Sequence, residues 1–191
     1  MAEIKRYCAK TQGTVNLSAD FKVREFASKD GTDEVLVAEE LVALLQSIRD
    51  HFGKPVTINS GYRSKSHNAA VGGTPKSQHL RGTAADIVVR GISPLAVAQF
   101  AEYLLGDRGG IGVYPSFTHV DVRENRARWD NRSGREVAVA GWPGYTPESW
   151  YAAAGRWAVE HGISDGTRPG EPCTRAEVWE MLRRLDDGEK T

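Results

Sequence analysis

The chain has 191 residues, enough for one enzyme-sized domain with its own core and a small appendage. Its 25 basic and 25 acidic side chains give a formal net charge of zero, and 40% of its residues are hydrophobic. That balance excludes bulk electrostatic attraction to nucleic acid or to an anionic membrane as the basis of function. Two cysteines, Cys8 and Cys173, form no CxxC pair, which argues against a disulfide framework and against a thiolate zinc knuckle.

Residues 1–30 read as an irregular lead-in with a short helical turn around Ser18 to Phe26, where Ser18 and Asp20 are the candidate caps. Apolar residues Val37, Leu41, Leu44, Leu45 and Ile48 recur at three- and four-residue spacing, predicting an amphipathic helix over 35–52 that ends at Gly53. Val56 to Asn59 is a short β-branched strand. From Ser60 to Gly82 the chain is rich in Gly, Ser, Asn and Pro, too long for a plain connector and therefore a candidate functional loop. Thr83 to Val89 reads as a buried strand. Ser93-Pro94 starts a helix, with Ser as N-cap and Pro in the first turn, that runs to about Leu105. Two more strands follow, 109–114 and 118–123. Short turns and single helices between strands predict an α+β domain with a mainly antiparallel sheet.

Residues 131–146, with Gly134, Gly141, Pro143 and Gly144, read as a linker. Beyond it, 147–191 predict a helix–loop–helix unit. Its first helix carries Trp150 and Trp157. Its second opens on the capping box Thr174-Arg-Ala-Glu177 and presents Val178, Met181, Leu182 and Leu185. The organisation is thus a domain over 1–130, a linker, and a small unit over 147–191.

Within the long loop and the next strand lies Ser77-Gln-His79-Leu-Arg-Gly82-Thr-Ala-Ala-Asp86. A carboxylate in an otherwise apolar strand is costly to bury unless it is paired or binds a metal. Asp86 alone fits a salt bridge to Arg81 or Arg63 equally well. A second segment, Phe117-Thr-His119-Val-Asp121-Val-Arg123, alternates so that His119, Asp121 and Arg123 share one strand face while Val120 and Val122 face the core. His79, Asp86 and His119 together make a two-histidine, one-carboxylate set, a common catalytic zinc arrangement with a fourth position open to water.

The order of Ser60-Gly-Tyr62-Arg63-Ser, then Ser-x-His-x-x-Gly-x-Ala-x-Asp, then His-Val-Asp resembles the zinc D-Ala-D-Ala carboxypeptidases of peptidase family M15, in particular its short phage and bacterial members, over about residues 17–129. The resemblance implies a small α+β fold shared with hedgehog-type domains, Zn2+ held by His79, Asp86 and His119, and a peptidoglycan stem peptide as substrate. It also implies that Arg63 binds substrate. A guanidinium fork suits a peptide carboxylate or a polarised carbonyl. Ser77 and Tyr62 are further substrate-binding candidates. The sequence departs from the family at Ser116, three residues before the last ligand, where many members carry a catalytic acid. Asp121 is then the local candidate for general base, with orientation of His119 as its alternative role.

The segment Trp157 to Thr167, followed by Pro172 to Glu177, resembles a single S-layer homology repeat. That implies anchoring to a secondary cell-wall polymer, with Asp165 and Arg175 as candidate contacts. The first ten residues hold no apolar run of signal-peptide type, and no stretch reaches the roughly 20 apolar residues of a membrane span. The expectation is synthesis in the cytoplasm and action at the cell wall after holin-type release, as a phage or prophage endolysin. Two rivals stand beside it: a non-catalytic zinc- and peptidoglycan-binding module of a phage tail or wall-associated protein, and an amidase cutting between muramic acid and L-alanine.

Overall fold

The structure, a computed structural model, describes residues 3–145, 161–163 and 178–183. Two compact units divide the chain, Met1–Pro143 and Gly144–Thr191.

The first unit opens with β1 (Ile4–Cys8), the one-turn helix α1 (Ala9–Gln12) and a 3-10 turn at Val23–Phe26. β1 pairs antiparallel with β2 (Glu34–Ala38) in a separate two-stranded sheet. Two expectations change here. The lead-in is not irregular, and the amphipathic helix α2 is Glu39–Phe52, because its expected first residues are in β2. Val35 and Val37 alternate into the core at 0% and 2% exposure, a strand pattern. Glu39 and Glu40 then fill the helix's first turn, where negative charge is favoured. Nor do Ser18 and Asp20 cap a helix. Ser18 Oγ donates to Gln46 Oε1 at 2.7 Å, and Gln46 Nε2 donates to Asp20 at 2.8 Å. The 3-10 turn is held instead by Glu25, which accepts from the Lys22 N–H at 2.7 Å.

A six-stranded sheet follows, of β3 (Val56–Ser60), β4 (Ala84–Val89), β5 (Gly110–Val113), β6 (Thr118–Asp121), β7 (Ala127–Asp130) and β8 (Val137–Ala138) in spatial order 3-4-6-5-7-8. Every pairing is antiparallel except β5 with β7. The α+β reading with a mainly antiparallel sheet agrees with this architecture. One sheet face carries Ala85, Ile87, Ile111, Val113 and Val120, each at most 1% exposed. Against it pack α2, through Leu41, Leu45 and Ile48, and α4 (Pro94–Leu105), through Val97, Ala98 and Ala101. Ser93 caps α4 by accepting from the Ala96 N–H at 3.2 Å. Burial of these apolar side chains is the main stabilising contribution. It leaves the opposite sheet face free to carry polar groups.

The segment read as a linker contributes to the sheet, since β8 lies within it and Trp142 is 6% exposed. Gly134 lies in the turn between β7 and β8. Among the described residues no helix is long and apolar enough to cross a membrane. Of the second unit, 161–163 and 178–183 are described. Ile163 is buried, whereas Val178, Trp179 and Leu182 in a helical segment are 40%, 67% and 58% exposed. The S-layer homology resemblance, with Trp150, Trp157, Asp165 and Arg175, falls almost wholly outside the described residues.

Candidate metal centre

The long loop between β3 and β4 is partly helical. Ser64 caps α3 (Lys65–Ala70), accepting from the His67 N–H at 3.0 Å and donating to Asp30 at 2.5 Å. Ser77 caps a 3-10 turn, Gln78–Arg81, accepting from the His79 N–H at 3.3 Å. That turn ends at Gly82, at φ 69°, where a Cβ would sit 2.1 Å from the Leu36 carbonyl oxygen. Glycine is thus required on both conformational and spatial grounds, three residues after the histidine. The turn aims His79 at the sheet, while strand register does the rest. Asp86 on β4 pairs with His119 on β6, and both project from the face opposite the core.

All three donors converge. Asp86 Oδ1 lies 2.9 Å from His119 Nδ1 and 3.4 Å from His79 Nε2. The ligand atoms of the three residues all fall within 4.8 Å of one another, and the residues are 3%, 7% and 7% exposed. Each histidine is fixed through its far nitrogen. His79 Nδ1 is 2.7 Å from the Gly61 carbonyl oxygen, which accepts from it and leaves Nε2 as the ligand. His119 Nε2 is 3.0 Å from Asp121 Oδ2, so it donates there and Nδ1 is the ligand. Two neutral imidazoles oriented from behind, one carboxylate oxygen and an open side fit Zn2+.

The electrostatics agree with a site built for a cation. Burial alone would raise the Asp86 carboxyl, but hydrogen bonds from His119 and His79 outweigh it and hold it well below the usual carboxylate range. Burial pushes His79 down, with Asp86 pulling partly against it. For His119 burial also favours the neutral ring, but Asp121 and Asp86 on its two nitrogens prevail and raise it to about 9. Without metal, a proton on Nδ1 therefore occupies the place a cation would take.

Each of the other expected residues has a definite place. Arg63 lines the cleft, donating from Nη2 to Asp86 Oδ2 at 2.5 Å and from Nε to Ser60 Oγ at 2.8 Å. Ser77 also lines it. Tyr62 does not. It is 7% exposed, its hydroxyl donates to Glu34 at 3.0 Å, and burial followed by Glu34 pushes its pKa to about 12. A substrate-binding role for Tyr62 conflicts with that placement. Asp121 was a candidate general base. It is 0% exposed, does not line the cleft, and touches His119 on the nitrogen turned away from Asp86. Arg123 Nε donates to Asp121 Oδ1 at 2.7 Å and Arg123 Nη2 to Oδ2 at 2.5 Å, while the Gly110 N–H donates to Oδ1 at 3.1 Å. Burial would raise Asp121, yet the hydrogen bonds and charges of His119 and Arg123 hold it far below the usual range, so it stays an anion with its lone pairs engaged. The base role conflicts with this geometry, and the orienting role fits it.

The cleft, about 1030 Å3, also has a wall that sequence reading missed. Tyr114 and Phe117 stack at 4.2 Å, Trp129 Nε1 donates to the Tyr114 hydroxyl at 3.2 Å, and the Trp129 ring lies 5.1 Å from that of His119. Room for Trp129 comes from Gly112, where a Cβ would meet the indole at 2.3 Å. The signal was the Gly-Ile-Gly of β5, which asks what approaches it so closely; the answer is a strand paired 17 residues downstream, invisible to local spacing.

The model of the peptidase M15 family matches residues 15–121, more than half of the chain, a span that includes His79, Asp86 and His119. The zinc D-Ala-D-Ala carboxypeptidase of Streptomyces albus G is 43% identical over 58 residues, which cover 30% of this chain and 23% of that protein. The chain thus aligns with less than a quarter of that relative's length.

Proposed function

This chain belongs to the peptidase M15 family, and we propose that it is a zinc-dependent peptidase of bacterial peptidoglycan, cutting a D-Ala-D-Ala bond or another bond of the stem peptide or cross-bridge. The observation that carries the reading is the convergence of His79 Nε2, Asp86 Oδ1 and His119 Nδ1 at the floor of an open cleft. Zinc bound there supplies Lewis acidity, polarising the attacked carbonyl and lowering the pKa of water toward about 7.

The chain's own groups hold and orient. Gly61 and Asp121 fix the tautomers of His79 and His119. Arg63 sits beside Asp86 with its guanidinium facing the cleft, where it can receive a substrate carboxylate or carbonyl oxygen. Asp121 is a positioning residue in this reading. The aromatic wall of Tyr114, Phe117 and Trp129 shields one side from water and offers apolar area to methyl-bearing residues such as alanine.

Incubating the chain with purified peptidoglycan, with added zinc and with chelator, tests the proposal. New amino groups or released D-alanine under zinc alone are expected. Zinc binding without any product would instead favour the non-catalytic peptidoglycan-binding module, a rival given substance by Ser116 and by the position of Asp121. Fragment masses also separate a peptidase from an amidase, which would free intact stem peptides. The finer role, a phage or prophage endolysin reaching the wall through a holin-type pore, is supported by the pairing of this unit with a second small one. In that role the unit over 147–191 holds secondary wall polymer. Lysis of cells co-expressing the chain with a pore-former, and no lysis without it, is the expected outcome.

A further inference from the structure

We propose that Glu136, with Asn131 beside it, forms a subsite for a substrate ammonium group across the cleft from the metal centre. The inference rests on the peptidase reading of the same cleft and names the kind of peptide it takes: one with a free side-chain amine two positions to the acyl side of the cut bond.

Most charged groups lining the cleft are already paired within the protein. Arg63 is bound to Asp86, Arg123 to Asp121, and Arg126 and Arg128 to Glu102. Two charged lining residues, Lys76 and Glu136, make no ion pair or side-chain hydrogen bond among the described residues. Glu136 is thus a carboxylate with unspent acceptor capacity, set on a wall whose guanidinium groups are occupied. Such a group attracts a cation and disfavours a second carboxylate.

Strand register defines where it sits. One cross-strand row runs Asp86, His119, Gly112, Trp129, Ala138 over β4, β6, β5, β7 and β8. One residue beyond the ends of these last four strands, at the same edge of the sheet, come Phe117, Tyr114, Asn131 and Glu136, and all four line the cleft. The antiparallel pairing of β7 with β8 ends at Asp130 and Val137, which brings Asn131 and Glu136, the next residue on each side, to the same end of that hairpin. A carboxylate and an amide oxygen at one hairpin end offer acceptors for the three N–H donors of an ammonium.

From β6 to β8 is three strand spacings, about 14 Å. That separation is too long for Glu136 to take a proton from water at the metal, which requires hydrogen-bond reach. It matches a substrate. Two residues of extended peptide cover about 7 Å, and the four-carbon stem of a lysine-like side chain covers the remainder. The stem would cross Tyr114 and Trp129, both half-buried, whose rings suit its apolar length. Acylation of the amine, as in a cross-linked stem, removes the charge this subsite reads.

The experiment measures binding of two dipeptides that lack the D-Ala-D-Ala bond, Nα-acetyl-Lys-D-Ala and its Nε-acetylated counterpart, to the full zinc-loaded chain by calorimetry, with their integrity checked by mass afterwards. The wild type is expected to bind the free amine about fivefold more tightly, the size of a partly exposed ion pair. In Glu136→Gln the two peptides should bind alike, and Glu136→Asp should fall between. Equal binding by the wild type, binding of neither, or a difference that survives Glu136→Gln overturns the proposal. Hydrolysis of Nα-acetyl-Lys-D-Ala-D-Ala is followed separately: a free-amine preference without hydrolysis overturns the peptidase reading and leaves the ammonium subsite standing.

Discussion

Replacing Asp121 by Asn tests what holds His119 in place. The carboxylate is fully buried, and each oxygen has its own donors. Oδ1 accepts from the Gly110 N–H, the Arg123 N–H and Arg123 Nε, whereas Oδ2 accepts from His119 Nε2 and Arg123 Nη2. An Asn keeps the shape but must place an NH2 group at one of these positions. At Oδ1 it would face three fixed donors. At Oδ2 one neighbour, His119, can adapt by giving up its Nε2 proton and accepting instead. The proton then moves to Nδ1, the atom needed for metal. Substitution of such an orienting partner typically weakens metal affinity by about 10–100-fold, or about 1.4–2.8 kcal/mol. Loss of the charge-assisted bonds to Arg123 should cost a further ~1.5–3 kcal/mol of folding stability. Competition with a chromogenic chelator gives the zinc affinity, and turnover at saturating zinc gives the catalytic part. Zinc affinity within about threefold of wild type, together with loss of nearly all turnover, would refute the orienting role and restore Asp121 as the base.

Zinc affinity should rise with pH. His119 in the metal-free chain is held near 9 by Asp121 and Asp86 against burial, so below that value zinc must displace a proton. Affinity is expected to gain about tenfold per pH unit between roughly 7 and 9, with about one proton released per ion, measured by calorimetry in buffers of different ionisation enthalpy. The same shift has a stability consequence. The His119 contribution is fully present below its unfolded value of about 6.5 and is lost as pH rises through about 9, whereas those of Asp86 and Asp121, both depressed, are lost on acidification. Metal-free denaturant midpoints should therefore decline both above pH ~7 and below pH ~4. Gly112→Ala drives a Cβ into the Trp129 indole and should destabilise by about 1–3 kcal/mol while changing tryptophan fluorescence, and an unaltered unfolding midpoint would contradict the packing. Arg63→Lys retains charge but loses the fork that reaches both Asp86 and Ser60; a fall in kcat/KM of tenfold or more is expected, with zinc still bound.

What could be read in the sequence follows from how locally each feature is encoded. The metal set was legible because a loop histidine, a carboxylate in an apolar strand and an alternating His-Val-Asp have no inexpensive structural use together. The caps at Ser93 and Gly53 act within one helical turn and were legible for the same reason. β1 was not, because its partner β2 is about 30 residues away and was absorbed into the apolar spacing of α2. Asp121 shows the limit most clearly. Alternation correctly put it on the face of His119, but which imidazole nitrogen it meets depends on side-chain geometry and on Arg123. Tyr62, although next to Arg63, turns toward Glu34 instead of the cleft, since neighbours along an extended chain face opposite ways. Trp129 on β7 and Glu136 just before β8 could be placed only once β5 is known to pair with β7 in parallel.

The account depends most on three side chains sharing one ion. X-ray absorption at the zinc edge of the purified, stoichiometrically loaded chain measures this directly. Four nitrogen and oxygen ligands at about 2.0–2.1 Å with scattering from two imidazoles are predicted, and in His119→Ala one imidazole and most of the affinity should disappear. A sulfur ligand, or a spectrum and affinity that His119→Ala leaves unchanged, would contradict it.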